Sequence, residues 1–140
     1  MRCAAIGLGV AAAILLVGCG SGSASSSNSA RSQFIARTNG ICRSAQKHRL
    51  DPKTLDAAVA LLNKTATELA AVKPPADLRA GYQRFLALVN KKVAVAAKLA
   101  RDLHERNPRA IRSLKAELNS HAVNDQARQL GLTVCAEEVR

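Results

Sequence analysis

The chain has 140 residues and is strongly basic, with 21 Lys and Arg against 10 Asp and Glu. Its aromatic side chains are one Tyr and two Phe, so it lacks the stacking surfaces that proteins binding single-stranded nucleic acid use. The same scarcity disfavours β-sheets, whose strands are rich in aromatic and β-branched residues.

The N-terminal segment has the features of an export signal. Arg2 precedes an apolar stretch over residues 4–17, which is shorter than the roughly 20 residues that a membrane-spanning helix needs. The sequence Leu16-Val17-Gly18-Cys19 resembles the lipobox of bacterial lipoprotein signal peptides. This resemblance implies a signal peptide over residues 1–18, a lipid on Cys19, and a location on the extracytoplasmic side of the cell membrane. The alternative is an ordinary secretory signal with Cys19 near its cleavage site, and both interpretations export the protein.

A polar, Gly/Ser-rich tract follows Cys19. Residues 20–29 have no periodic apolar residue and bury too little surface to offset the entropy of ordering them. We therefore expect a flexible tether over residues 19–31, and a single folded domain over residues 32–140.

Two of the four cysteines fall inside this domain. Cys3 leaves with the predicted signal peptide and Cys19 is predicted to carry the lipid, so Cys42 and Cys135 remain. Outside the cytoplasm two remaining thiols favour one disulfide. A metal pair or a reactive thiol is the alternative, although neither cysteine lies in a CxxC motif or a Cys/His cluster.

Apolar residues recur at helical spacing throughout the domain, which predicts an all-α fold. On the third predicted helix, the residues at helical spacing from Leu78 to Leu103 form a stripe that is apolar except at Lys92. Asp51 is the expected N-cap of the second helix, with Pro52 in its first turn, and Gly131 is the expected left-handed end of the fourth. The four predicted helices cover about residues 32–50, residues 52–72, the Leu78–Leu103 stripe, and residues 108–130.

Short connections between these helices favour antiparallel neighbours, so an up-down-up-down four-helix bundle is predicted. In that topology an extended segment after Gly131 brings Cys135 to the level of Cys42, and one disulfide closes the bundle. The core is mainly Ala, Leu and Val, and such small side chains favour close helix packing and disfavour a large cavity.

Several segments also occur in a familiar order. They are Phe34-Ile35, Ile41-Cys42-Arg43, Lys73-Pro74-Pro75, Tyr82 with Phe85, and residues 130–135. This order resembles that of small, largely uncharacterised actinobacterial lipoproteins. The resemblance covers about residues 32–136. It implies a helical bundle whose first and last segments are joined by the cysteine pair, and it supplies no catalytic or ligand-binding residue.

Enzymatic chemistry has few candidates in this sequence. His48 and His104 are expected at the same end of the bundle, with His121 far down the fourth helix. Nearby cations disfavour a metal ion between the first two, so solvated surface histidines are expected. There is no di-iron Glu-x-x-His pair, zinc HExxH motif or haem CxxCH motif. We therefore predict no catalytic residue, metal or cofactor, and no enzymatic activity.

Positive charge concentrates where the first helix ends and the third meets the fourth. We expect this end to bind anions such as phospholipid headgroups, an acidic wall polymer or an acidic envelope protein. Solvated helix faces are the alternative. The residues of this predicted basic end are Lys47, Arg49, Lys98, Arg101, Arg106, Arg109 and Arg112.

The sequence therefore predicts a non-enzymatic, lipid-anchored envelope protein whose basic end contacts anionic envelope components. Export separates the chain from chromosomal DNA, so no nucleic-acid partner is expected. The alternative function is a small-molecule carrier or sensor that uses a cleft between helices, which requires an apolar cavity with converging polar groups. The oligomeric state stays open at this level.

Overall fold

The computed structural model describes residues 23–49 and 54–137. The predicted signal peptide, Cys19, Asp51 and Pro52 lie outside these ranges. Within them the chain is helical without any strand, which confirms the all-α prediction. No helix in the described ranges combines the length and the apolar character needed to cross a membrane.

Six α-helices and one short 3₁₀ turn make up the described chain. The helices are α1 (Ser23–Arg49), α2 (Leu55–Ala70), α3 (Arg79–His104), α4 (Pro108–Leu118), α5 (Ala122–Gln129) and α6 (Thr133–Ala136), and the 3₁₀ turn Ala76–Leu78 precedes α3. Helix α3 packs against α2, α4 and α5, α1 packs against α2 and α6, and α5 packs against α6.

The first helix begins earlier than the sequence predicts. Residues 23–31, expected in the flexible tether, form the first turns of α1. From residue 27 onwards the side chains are exposed until Phe34, the first buried residue. Adding a turn to an existing helix costs less than nucleating one, so the packed part of α1 extends into this Ser-rich stretch.

The second helix begins later than predicted. Thr54 is its N-cap, and its hydroxyl accepts a hydrogen bond from the amide of Ala57 at 3.2 Å. This bond satisfies one of the amide groups left free at a helix start. The helix therefore begins at Leu55, three residues after the predicted position.

The predicted fourth helix is two helices. The chain leaves the helical path at residues 119–121, between α4 and α5. Asn and Ser side chains compete with the helix for backbone hydrogen bonds, and here the Ser120 hydroxyl accepts a long bond of 3.4 Å from the Ala122 amide. The break lets both α4 and α5 pack against α3.

Gly131 ends α5 as predicted, with a φ of 77° in the left-handed region. The Gly131 amide donates to the Arg128 carbonyl at 3.0 Å, and the Leu132 amide to the Ala127 carbonyl at 2.9 Å. This pair of bonds is a Schellman motif, and Leu132 is fully buried after it. The segment that follows was expected to be extended, but it forms the short helix α6.

The predicted disulfide joins Cys42 on α1 to Cys135 on α6, with Cα atoms 5.2 Å apart. Two amide side chains of α1 hold the same short helix. The Asn39 Oδ1 accepts a hydrogen bond from the Val134 amide at 3.2 Å, and the Gln46 Nε2 donates to the Val134 carbonyl at 2.9 Å. One covalent and two polar contacts therefore fix α6 against α1.

All three aromatic residues of the chain meet in the main core. The ring of Tyr82 lies 4.9 Å from Phe34, edge to face, and 5.8 Å from Phe85, stacked. The Tyr82 hydroxyl donates to the carbonyl of Leu69 at 2.7 Å, in the last turn of α2. These contacts connect α1, α2 and α3, and Leu132 completes the same cluster from the other side.

A second, smaller core lies where α3 packs against α4. It contains Val95, Leu99 and Leu114. Leu103, predicted on the apolar stripe, is 40% exposed, and Asp102 is buried in its place. A stripe repeating every 3.5 residues drifts around a helix of 3.6 residues per turn, so the buried face has rotated by the end of α3.

Replacing both Cys42 and Cys135 by Ser should destabilise the protein strongly. The disulfide closes a loop with a sequence separation of 93 residues, for which chain entropy gives about 4–5 kcal/mol. We expect the free energy of unfolding, measured by urea denaturation with circular dichroism, to fall by about 3–5 kcal/mol. Wild-type protein kept reduced should match the variant, and a loss under about 1 kcal/mol would contradict the assignment.

Stability should also fall between pH 10 and 12 because of Tyr82. Burial raises the pKa of its hydroxyl from 10.0 to about 12, while the Thr38 hydrogen bond and the Arg37 charge oppose this rise. The unfolded state loses the proton first and binds fewer protons in this window. The protonated Tyr82 hydroxyl therefore contributes fully to the free energy of unfolding below pH 10. This contribution, about 2–3 kcal/mol, is lost as the pH rises to 12.

Tyr82→Phe provides the control for this prediction, because Lys and Arg titrate in both proteins. The free energy of unfolding of wild type should fall more steeply than that of the variant above pH 10. Urea denaturation at several alkaline pH values measures both slopes. Parallel curves for the two proteins would show that Tyr82 contributes nothing to the dependence.

Candidate functional site

A cleft of about 550 Å³ lies between α1, α2, α3, the turn joining α4 to α5, and the end of α6. It lies between the aromatic core and the smaller core formed by α3 and α4. Phe85 and Leu69 line it from the aromatic core, and Leu118 lines it from the core between α3 and α4. Its volume is within the range of about 300–1,000 Å³ typical of small-molecule sites.

The walls of the cleft combine apolar and polar surface in nearly equal parts and come from all six α-helices and the α4–α5 turn. The disulfide itself forms part of the wall, since both cysteines line the cleft. The apolar part of these walls favours the hydrocarbon part of a ligand. The larger apolar side chains are Leu62, Leu69, Phe85, Val89, Leu118 and Val123.

Hydrogen-bonding groups converge on the same space from three directions. Two of them also support the fold: Gln46 donates to Val134, and the Thr65 hydroxyl donates to the Leu61 carbonyl at 2.8 Å. His121 and Asn124 likewise have partners within the protein. The polar residues at the cleft are Gln46, Thr65, Asn119, Ser120, His121 and Asn124.

Two side chains with formal charge line the cleft among the described residues. Lys92 is half-buried on α3 and interrupts that helix's apolar stripe. Glu137 follows α6 and is exposed. The positive charge is therefore the more deeply placed of the two.

The expectation that small core side chains disfavour a large cavity does not hold at this cleft. That expectation followed from side-chain size alone. The break at residues 119–121 instead places polar turn residues between the two cores, and Leu118 and Val123 stand on opposite sides of that break. Two sequence signals pointed to it: the turn-forming pair Asn119-Ser120, and Lys92 in an apolar stripe.

Part of the predicted basic end lies where α3 ends beside the start of α2. His104 Nε2 lies 3.7 Å from Asp56 Oδ2, so the end of α3 is beside the start of α2. Lys47 is exposed near the end of α1, and the Arg49 side chain lies outside the described positions. The exposed cations that continue this surface are Arg101, Arg106, Arg109 and Arg112.

Lys98 differs from the other members of the basic end because its charge is compensated. Its Nζ lies 2.7 Å from the Asp102 carboxylate, one helical turn further along α3. The Asp102 side chain is only 9% exposed, so this pair is partly removed from water. The sequence predicted Lys98 as a surface cation and missed the buried acid.

Arg106 has an unusual backbone conformation, with a φ of 55°. Its amide donates to the Leu103 carbonyl at 3.2 Å, and the Asn107 amide to the Asp102 carbonyl at 3.0 Å. This is the same Schellman ending that Gly131 makes, but with a side chain where glycine is preferred. Such a conformation costs about 1 kcal/mol for a residue other than glycine.

The three histidines do not form a common site. His48 is exposed on α1, His104 faces Asp56 with both side chains more than 70% exposed, and His121 lies at the cleft. Residues 23–49 and 54–137 contain no group of three or more His, Cys, Asp or Glu side chains able to hold a metal ion.

No protein-family model, curated protein or solved structure matches this chain. The resemblance to actinobacterial lipoproteins stays a prediction based on the segments named above. The cleft and the basic end are the features of this chain that bear on its function.

Proposed function

We propose that this protein binds a small molecule in the cleft between its helices, as a non-enzymatic carrier or sensor. One observation carries the proposal: a cleft of about 550 Å³ lined by both apolar side chains and hydrogen-bonding groups. Such a combination gives a ligand apolar burial together with fixed orientation. The sequence favoured the basic end as the binding site and gave the cleft as the alternative, and we place the cleft first because of this lining.

The chemistry of the lining supports binding more than catalysis. Most of its polar groups are neutral amides and hydroxyls, among them Asn119, Ser120 and Asn124. Neutral groups of this kind recognise a ligand through hydrogen bonds, whereas proton transfer needs a positioned acid or base. These neutral groups outnumber the three lining side chains able to transfer a proton, Lys92, His121 and Glu137, so the lining favours recognition.

The location and the topology are part of this proposal. A lipid on Cys19 would hold the domain at the extracytoplasmic face of the cell membrane, where a carrier or sensor meets molecules of the envelope. The up-and-down bundle is supported by successive contacts of α1 with α2, α2 with α3, and α3 with α4. In this arrangement α4 and α5 together replace the fourth helix.

Filling the cleft should abolish ligand binding. Ala45 lines the cleft on α1, and Ser44 beside it is exposed and does not. We expect apolar small molecules to raise the Tm of wild type and of Ser44→Phe, and to leave that of Ala45→Phe unchanged, because only the latter ring occupies the cleft. Differential scanning calorimetry with a library of amphipathic compounds measures this.

Folded Ala45→Phe protein that still responds to the same compounds would place their site elsewhere. If wild type responds to none of the compounds, the cleft is not a small-molecule site. A circular dichroism spectrum of each variant establishes that the helices are retained.

The basic end supports a second candidate function, contact with anionic phospholipid, an acidic wall polymer or an acidic envelope protein. The favouring observation is Arg106, whose side chain is exposed from a strained backbone position. Strained conformations persist where the surrounding structure fixes them, and they concentrate at functional sites. Arg109 and Arg112 continue the same exposed surface on α4.

Binding at the basic end should depend on salt. The triple variant Arg106→Gln, Arg109→Gln and Arg112→Gln should co-sediment less than wild type with vesicles containing phosphatidylglycerol, and added salt should weaken wild-type binding. Neutralising three cations at the opposite end of α3, Lys73, Arg79 and Arg84, makes the same change in net charge. Equal loss in both triple variants would show an effect of total charge alone.

A further inference from the structure

Lys92 is the lysine that lines the cleft among the described residues. It stands in the apolar stripe of α3, between Val89 and Ala96, where a small or aliphatic residue would pack without cost. Lys92 is half-buried as a residue, and its side chain has a partner within the protein. A positive charge in the lining favours an anionic ligand over a cationic one.

The charges around Lys92 bear on which ligand can enter. Lys91, its neighbour in sequence, does not line the cleft and lies 2.9 Å from Glu117 in an ion pair. Lys91, Lys92 and Glu117 also line a smaller neighbouring pocket of about 80 Å³, where Lys91 compensates the charge of Glu117. Glu137 is the opposing charge of the lining, and it is exposed. Lys92 is therefore less exposed to water than Glu137. Because water screens charges, an entering anion is attracted to Lys92 more strongly than it is repelled by Glu137.

Lys92 already has a partner within the protein. An incoming anion has to exchange with that partner, which lowers its net affinity. The preference for negative charge remains after this exchange, because a carboxylate gains a stronger hydrogen bond from an ammonium group than a neutral acceptor does, and a cation is repelled.

We infer that the cleft selects an amphipathic organic anion, whose carboxylate pairs with Lys92 while its hydrocarbon part lies against Phe85, Val89 and Leu118. The inference rests on the proposed function of the cleft and names the class of ligand. Apolar contact supplies affinity, and the single cation supplies selectivity for the headgroup.

Three probes with one hydrocarbon chain and different headgroups test the selectivity. They are decanoate, decanol and decylamine, titrated into the purified protein by isothermal calorimetry below their aggregation limits. Decanoate should bind about tenfold more tightly than decanol, and decylamine most weakly. Equal affinities, or a preference for decylamine, would overturn the inference.

Matched variants locate the selectivity. Lys92→Met should lose the about tenfold advantage of decanoate and keep the affinity for decanol, because it removes the charge and retains a long side chain. Lys91→Met changes the net charge equally and should bind all three probes like wild type. Glu137→Gln removes the opposing charge and should strengthen binding of decanoate.

The outcomes separate this inference from the proposal beneath it. If all three probes bind equally and Ala45→Phe blocks them, the cleft binds small molecules and the charge selectivity is wrong. If no probe binds to wild type, both are wrong. If Lys92→Met loses decanol together with decanoate, Lys92 supports the shape of the cleft and does not select the headgroup.

Discussion

The attachment of α6 to α1 is the constraint on which the rest of the structure depends. A helix of four residues has no stability of its own, and its place is fixed by the disulfide to Cys42 and by the amides of Asn39 and Gln46. Leu132 and Ala136 thereby complete the aromatic core. The same attachment sets one wall of the cleft, since both cysteines line it. The contacts that attach α6 to α1 therefore also form part of the candidate site.

Local signals made much of this architecture predictable. Apolar spacing predicted the helices, Gly131 predicted the end of α5, and the two cysteines remaining after export predicted the disulfide. Each of these depends on residues close in sequence or on the compartment. The contacts of Asn39 and Gln46 with Val134 join positions 95 and 88 residues apart, and nothing in the local sequence of either helix indicates them. Such contacts arise only once α6 has docked.

The two candidate sites likewise have features that the local sequence predicts and features that only the folded chain creates. Basic residues concentrate visibly in the sequence, but the compensation of Lys98 by Asp102 requires the rotated face at the end of α3. Lys92 was equally visible as a polar member of an apolar stripe. It acquired a meaning only when the break at residues 119–121 opened a space beside it. The cleft lies between the two hydrophobic cores. The spacing of apolar residues along one helix predicts which of its residues enter a core, but it does not predict a gap between two cores.

The aromatic core also determines the intrinsic fluorescence of this protein. The chain has no Trp and a single Tyr, so all of its tyrosine emission comes from one side chain. Tyr82 is 1% exposed and bonded through its hydroxyl to the end of α2, in the cluster against which the disulfide packs. Its fluorescence therefore reports the state of one defined place, the junction of α1, α2 and α3. The protein carries its own single-site optical probe, in its centre and without any label.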